Sequence, residues 1–290
     1  MRPELKSILL LTAFLFALNF LGPLALLLPV PFIFYYKRVP ALHRALSAGV
    51  VAVLLLILVQ DPLARYVVLF QFASLVSPFL LFLSLQEKGY TIDISIPSTL
   101  LLTFLLVAAG SLAYPHFFHQ PIADQLAAVL KQSGFKPTPE LHQALTTFIH
   151  ILPGIIFLSE GIMILLNLMI FSRVAKEPIQ FPSFRLPDSL IIAFVVMAAL
   201  FIFTAIVPVI HSDTVRYVAA NTLIAIAFAY FTQGLAVAVF FIDKMKIPPL
   251  LRLLVFVFIF IQPGPLLVTG LGFADIWLEF RKRSFIIDKK

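Results

Sequence analysis

Cysteine is absent from this chain, which excludes disulfides, thiolate metal sites and cysteine nucleophiles. Charge is scarce as well. Asp, Glu, Lys and Arg make up 12% of the residues, against 61% hydrophobic ones and a mean hydropathy of +1.05. Soluble domains carry about 25% charged residues, so a water-soluble fold is excluded. A phosphate-binding glycine loop, a nucleophile elbow and a His-Glu zinc motif are also missing, which predicts neither catalytic activity nor a cofactor. The opening stretch has Arg2 and Lys6 before an apolar run and imitates a secretory leader. No small-x-small site follows and hydrophobicity continues past Gly22, so the stretch is read as retained.

What fills the chain is apolar sequence. A spanning helix needs about 20 residues, because a rise of about 1.5 Å per residue must cross about 30 Å of hydrocarbon. Candidate helices cover Ala41–Gln60, Leu63–Gln86, Ile96–Tyr114, Ala144–Ser172, Asp188–Ile210 and Thr214–Ile242. Two further apolar regions are interrupted. Ser7–Tyr36 is broken at Gly22-Pro23, Pro29 and Pro31, and Pro248–Phe280 at Gln262-Pro263-Gly264-Pro265. Proline removes a donor and clashes with the preceding turn, so each region reads as two short helices. The backbone must satisfy its own polar groups in lipid. The expected fold is therefore all-α: a polytopic membrane helical bundle of about 8–10 segments in one integral membrane domain, residues 1–290, with short Pro/Gly-broken hairpins at both ends.

The charge distribution sets an expected orientation, since Lys and Arg favour the cytoplasmic side of short loops. With both interrupted regions folded as hairpins and the N-terminus inside, only Arg65, Lys131, Lys136 and Arg216 of the 21 basic residues lie outside. A single crossing by the last region would move the five basic residues after Glu279 outside as well. Both termini are therefore placed on the cytoplasmic side. The net charge of +7 then serves orientation and contact with anionic lipid rather than nucleic acid. Residues 115–143 form an outer loop in which Ile122, Leu126, Val129 and Leu130 share one face of an amphipathic helix. Thr138-Pro139-Glu140 reads as a helix start. Residues 173–188 form an irregular cytoplasmic connector containing Pro178, Pro182 and Pro187, and residues 281–290 a basic cytoplasmic tail.

Polar residues within the spans carry the functional expectations. Glu160 lies near the middle of a span and shares a face with Pro153 and Asn167 at seven-residue steps. Thr12 and Asn19, and Gln71 and Pro78 with Ser74 between, repeat the step. A charge at mid-membrane costs roughly 2.5 to 3.5 kcal/mol, so Glu160 is expected to be protonated or paired. Two readings stay open: a substrate or proton site where the stripes meet, or interhelical hydrogen bonds worth about 0.6 to 2 kcal/mol each. Gln233 needs a partner inside its span, and the neighbouring Gly234 lets another backbone approach. Gln262 sits at the second Pro/Gly break, where unwound backbone can line a cavity. Small-x-x-x-small pairs, Ala48 with Ala52 and Ala225 with Ala229, indicate internal packing. His116, His119, His142 and His211 fall on one predicted side, but no spacing forces convergence at zinc distances, and no metal is expected.

Several segments together resemble a known family. They are Phe181-Pro-Ser-Phe-Arg-Leu-Pro187, Asn221, Tyr230-Phe-Thr-Gln-Gly-Leu-Ala-Val237, Pro248-Pro-Leu-Leu-Arg252 and Gly270-Leu-Gly-Phe-Ala-Asp-Ile-Trp-Leu-Glu-Phe-Arg-Lys-Arg283. In these the chain is similar to the YybS-like bacterial membrane proteins, whose Gly-Leu-x-Asp-x-Trp-x-Asp-Phe-Arg style ending resembles Gly272–Arg281, with Glu279 in place of Asp. That family looks distantly similar to the substrate-binding subunits of energy-coupling-factor transporters and to the rod-shape protein MreD. The resemblance implies no catalytic residues. Trp277 suits an interface anchor, and Asp275, Glu279 and Arg283 at steps of four are expected to pair along one helical face.

Two functional classes follow. A transport-related or small-molecule-binding membrane subunit would line a mid-membrane pocket with Glu160, Asn19, Gln71, Asn167, Gln233 and Gln262. A scaffold or assembly factor of the cell envelope would have a filled interior. It would meet membrane or cytoplasmic partner subunits through Arg185, Asp275, Trp277, Glu279 and Arg281.

Overall fold

The computed structural model describes residues 3–20, 25, 27–117, 130–132, 138–174, 180–206 and 212–282. Among them every regular element is a helix: α1 (Pro3–Leu18), α2 (Val30–Tyr35), α3 (Ala41–Leu58), α4 (Pro62–Glu87), α5 (Ile92–Phe117), α6 (Pro139–Val174), α7 (Leu190–Ile206), α8 (Asp213–Lys244), α9 (Pro249–Phe260) and α10 (Gly264–Leu278), with a 3-10 turn at Phe181–Ser183. Five of them, α3, α4, α5, α6 and α8, are long and apolar enough to cross a membrane. The pair α9 and α10 passes the same test together, bent by 94°, while α1 and α7 are shorter apolar helices. The break between α9 and α10 falls at the expected Pro/Gly run, where a Cβ on Gly264 would lie 2.0 Å from the carbonyl oxygen of Phe258. The all-α, multi-pass architecture is as expected. Most of the predicted amphipathic segment of the 115–143 loop, and the tail from residue 283 onward, lie outside the described residues.

The chain, read from its sequence as one membrane domain, clusters into two compact units: residues 1–91 with 98–178, and residues 92–97 with 179–290. In the first unit, α3 shows how one stripe faces inward. Arg44, Ser47, Ala48, Val51 and Leu55 are buried, the i, i+3, i+4, i+7 pattern of a helix face. Val50, Val53, Leu56 and Ile57 are exposed, as lipid contact allows. Tight caps close the connections. Asp61 accepts a bond from Ala64 N at the start of α4 (2.6 Å), and Thr138 accepts one from Leu141 N at the start of α6 (3.2 Å). Gly89, at φ +77, supplies the left-handed residue that ends α4. The α6 ring of Phe171 is clasped edge-on between Tyr36 at 5.0 Å and Phe82 at 6.0 Å.

The second unit is organised around α8, in which every residue from Tyr230 to Val237 is buried. It packs against α7, α10 and the 3-10 turn. Its contact with α10 is backbone against backbone. A Cβ on Gly234 would stand 1.8 Å from the Val268 carbonyl oxygen, and one on Gly272 would stand 1.9 Å from that of Tyr230. Glycine at both positions is therefore what lets these helices approach. The other ends are pinned locally: Arg252 of α9 donates to Asp243 Oδ1 of α8 at 2.9 Å and to the Ile247 carbonyl at 2.7 Å. Gly272→Ala is expected to lower stability by about 1–3 kcal/mol or more, the usual cost of overpacking. Gly270→Ala, which meets nothing within 4 Å, serves as the neutral control when thermal unfolding in detergent is compared.

Candidate functional site

Glu160 occupies the buried face of α6 between Phe157 and Ile164. Ser74 of α4 donates to its Oε1 at 3.0 Å, and Oε2 is buried without a hydrogen-bond partner among the described residues. The Ser74 hydroxyl also lies 3.2 Å from the Gln71 carbonyl, yet it carries one proton. The contact thus survives either state of the carboxyl. A carboxylate accepts from Ser74, and a carboxylic acid donates to Ser74 while the hydroxyl turns to Gln71. No basic side chain pairs with Glu160 among the described residues.

Of the other residues expected to line a mid-membrane pocket, Asn19, Gln71 and Asn167 share the first unit with Glu160. Asn19, one residue past the end of α1, and Asn167 of α6 each donate to the carbonyl four residues back, Leu15 and Met163, both at 2.7 Å. Gln71 is half-buried on α4 and meets the pair only through its backbone. In the second unit Gln262 is exposed at the start of α10. It lies about 20 Å along that helix from Asp275, at 1.5 Å per residue. Gln233 is fully buried and both ends of its amide are used: Oε1 accepts from Leu186 N at 2.9 Å, and Nε2 donates to Asp275 Oδ2 at 3.2 Å.

That second bond leads into a polar network joining three of the segments singled out, 181–187, 230–237 and 270–283, at its described residues. Asp275, 2% exposed, also accepts from Arg281 Nη2 at 2.6 Å and from Phe280 N at 3.1 Å. Arg281 reaches on to the carbonyls of Pro182 and Phe184 at 2.9 and 2.8 Å. Residues 180–188 of the connector are irregular apart from the 3-10 turn, as expected, and these bonds hold them in place as a strap, with Phe184 and Leu186 buried. Arg185 N donates to Asp93 at 2.8 Å, and the Arg185 side chain pairs with Glu279 at 3.0 Å and with Asp188 at 3.6 Å.

The single helical face expected to carry Asp275, Glu279 and Arg283 is interrupted. The helix ends at Leu278, and Glu279 adopts left-handed backbone, φ 44° and ψ 49°. The chain turns there, so Arg281 returns to Asp275, and Arg283 lies outside the described residues. Glu279 Oε1 instead accepts from both Lys282 Nζ at 2.8 Å and Arg185 Nη1 at 3.0 Å. Lys282 first, then Arg185, hold the Glu279 carboxyl below the usual glutamate range. Beside this arrangement lies a cleft of about 490 Å³, lined by Gln180, Pro182, Ser183, Arg185, Phe240, Asp275, Glu279, Arg281 and Lys282. Trp277 points elsewhere. It is 56% exposed and packs edge-on against Phe273 at 4.8 Å.

Sequence reasoning missed Arg44, taken only as an orientation charge. It is 1% exposed and pairs with Glu87. Its Nη1 donates to the Tyr36 carbonyl at 2.6 Å, and the guanidinium lies 5.2 Å from the Tyr36 ring centroid. Its place on the stripe with Ser47 and Ala48 was the available signal. Among the described residues no group of three or more His, Asp or Glu could hold a metal ion. His119 and His211 lie outside them, as do the side chains of His116 and His142.

The family described as Predicted membrane protein (DUF2232) matches residues 7–276. The chain belongs to this family. Membership agrees with the multi-pass helical structure; the match covers the Glu160 pair and Asp275 with Gln233, and ends before Glu279, Phe280, Arg281 and Lys282. No curated protein and no solved structure matches the chain.

Two outcomes follow from the network. Asp275→Ala strands Arg281 and Gln233 together, and loss of one partner of a buried ion pair costs about 3–5 kcal/mol. Denaturant titration in mild detergent should show that loss, and a change under 1 kcal/mol would mean that Asp275 is not a structural centre. For Glu279, whose folded pKa is depressed, the stabilising contribution is present above the unfolded value of about 4.3 and disappears as pH falls through the folded one. Carboxyl NMR should place its midpoint below that of an ordinary glutamate and move it upward in Lys282→Gln.

Proposed function

We propose that this DUF2232 protein is a non-catalytic, small-molecule-binding membrane subunit of transport-related type, and that its ligand occupies the cleft beside the 180–188 strap. The observation carrying this reading is the cleft itself. Its volume lies within the roughly 300–1,000 Å³ of ligand pockets, and its lining combines apolar Phe240 and Pro182 with the charged Arg185, Glu279 and Lys282. The site is thus moved away from Glu160, whose surroundings are packed by Phe157 and Ile164. The likeness of the strap and of the Gly272–Arg281 ending to the YybS-like proteins supports a shared role for these residues. The asymmetry of Lys and Arg supports both termini, and hence the cleft, on the cytoplasmic side, and the likeness to bacterial membrane proteins supports a bacterial inner membrane.

A scaffold or assembly role is the second reading, and the filled interior around Glu160 favours it. There the strap and the chain from Arg281 onward would receive a membrane or cytoplasmic partner. Ser183→Trp separates the two. Ser183 is exposed on the cleft wall, so an indole there fills the cleft without disturbing the buried network. Mass spectrometry of the purified full-length protein should find a co-purifying small molecule that the Ser183→Trp variant has lost. A ligand retained by that variant, or none in either, would overturn the cleft as the binding site.

A further inference from the structure

Glu279 stands where a ligand's charge would stand. Its Oε1 is shared by Arg185 Nη1 and Lys282 Nζ, cations from the strap and from just beyond α10. It holds that position from left-handed backbone, a conformation that costs a non-glycine residue free energy and persists where the surroundings impose it. The other acid on the cleft wall is already committed, since Asp275 is buried against Arg281, Gln233 and Phe280 N. Asp188 reaches Arg185 at 3.6 Å but is 72% exposed. Without the Glu279 carboxylate, the rim would present Arg185 and Lys282 with no other close acid on the cleft wall. Lys282 is 67% exposed and Arg185 33%, so both can be reached from solvent.

We propose that Arg185 and Lys282 form a two-cation clamp for the phosphate group of the cleft's ligand, and that the Glu279 carboxylate occupies this clamp until that phosphate displaces it. A phosphate suits the clamp better than a second carboxylate. It offers three acceptor oxygens, enough for a forked Arg185 contact and a separate Lys282 contact at once. Phe240 and Pro182 in the cleft lining give an apolar neighbour of the phosphate a place to lie. Free phosphate and a lipid headgroup share the recognised chemistry, and this apolar lining distinguishes them.

The proposal rests on the cleft being the binding site, and its test is independent of the co-purification result. The full-length protein in detergent is titrated with inorganic phosphate, with dihexanoyl phosphatidic acid and with dihexanoyl phosphatidylcholine. Glu279→Gln keeps the backbone requirement of the residue but removes the competing charge. It should tighten binding of the phosphate probes about two- to five-fold, the range expected for displacing an exposed ion pair. Lys282→Gln should weaken it by a similar factor. Phosphatidic acid binding more tightly than inorganic phosphate would assign the clamp to a lipid headgroup, and equal binding would assign it to free phosphate. Equal or weaker binding of both by Glu279→Gln would overturn the clamp, as would phosphatidylcholine responding to the substitutions as strongly as phosphatidic acid does. If Ser183→Trp abolishes a co-purified ligand while none of the phosphate probes binds, the cleft stands and only the ligand class falls.

Discussion

The second unit depends on how one buried carboxylate is satisfied. Asp275 accepts from a side-chain amide, a guanidinium and a backbone amide that belong to α8, to the chain after α10 and to the turn itself. A buried acid with fewer partners would be strongly destabilising, so these segments must arrive together. The same guanidinium then fixes the strap through two carbonyls, and the Gln233 amide fixes it again at Leu186. A helix end, a loop and a mid-helix glutamine become one body because each supplies what another lacks.

The first unit is held differently. Its interior is chiefly aromatic and aliphatic, with Phe79, Phe82, Phe157 and Phe171 among its largest buried side chains. Among the described residues its polar contacts between elements include the Ser74–Glu160 bond, the Tyr66 hydroxyl on the Gly110 carbonyl and the Arg44–Glu87 pair, the last with Tyr36 beneath it. Dispersion and close fit carry most of that packing, as expected where lipid removes the hydrophobic difference between inside and outside.

Much of the helical layout was legible because hydropathy and proline placement act locally. The break at Gln262–Pro265, the cap at Thr138 and the five spanning helices follow from rules a few residues long. The site was less legible, since its geometry depends on which distant residues meet. Gln233 was seen to need a partner and Gly234 to admit a backbone, and both hold, yet nothing in the spacing identified Asp275 and Val268 as what they meet. Counting by fours from Asp275 assumed that the helix continues. The left-handed turn at Glu279 sends Arg281 to the place expected for a residue one turn further on. The seven-residue stripes of Asn19, Gln71 and Glu160 were real faces of their helices. Two of these stripes meet, at the Ser74–Glu160 bond, while the amides of Asn19 and Asn167 each bond their own backbone.

The glycine contact between α8 and α10 has a mechanical side. Helices separated by side chains can slide, because the interlocking groups swap rotamers as they pass. Two main chains touching at Gly234 and Gly272 have no such lubricant. A small axial shift would drive a carbonyl oxygen into the opposing chain, so the pair behaves as a stiff strut. Push the bent corner near Gln262, and the far end carrying the Asp275 knot must travel with it.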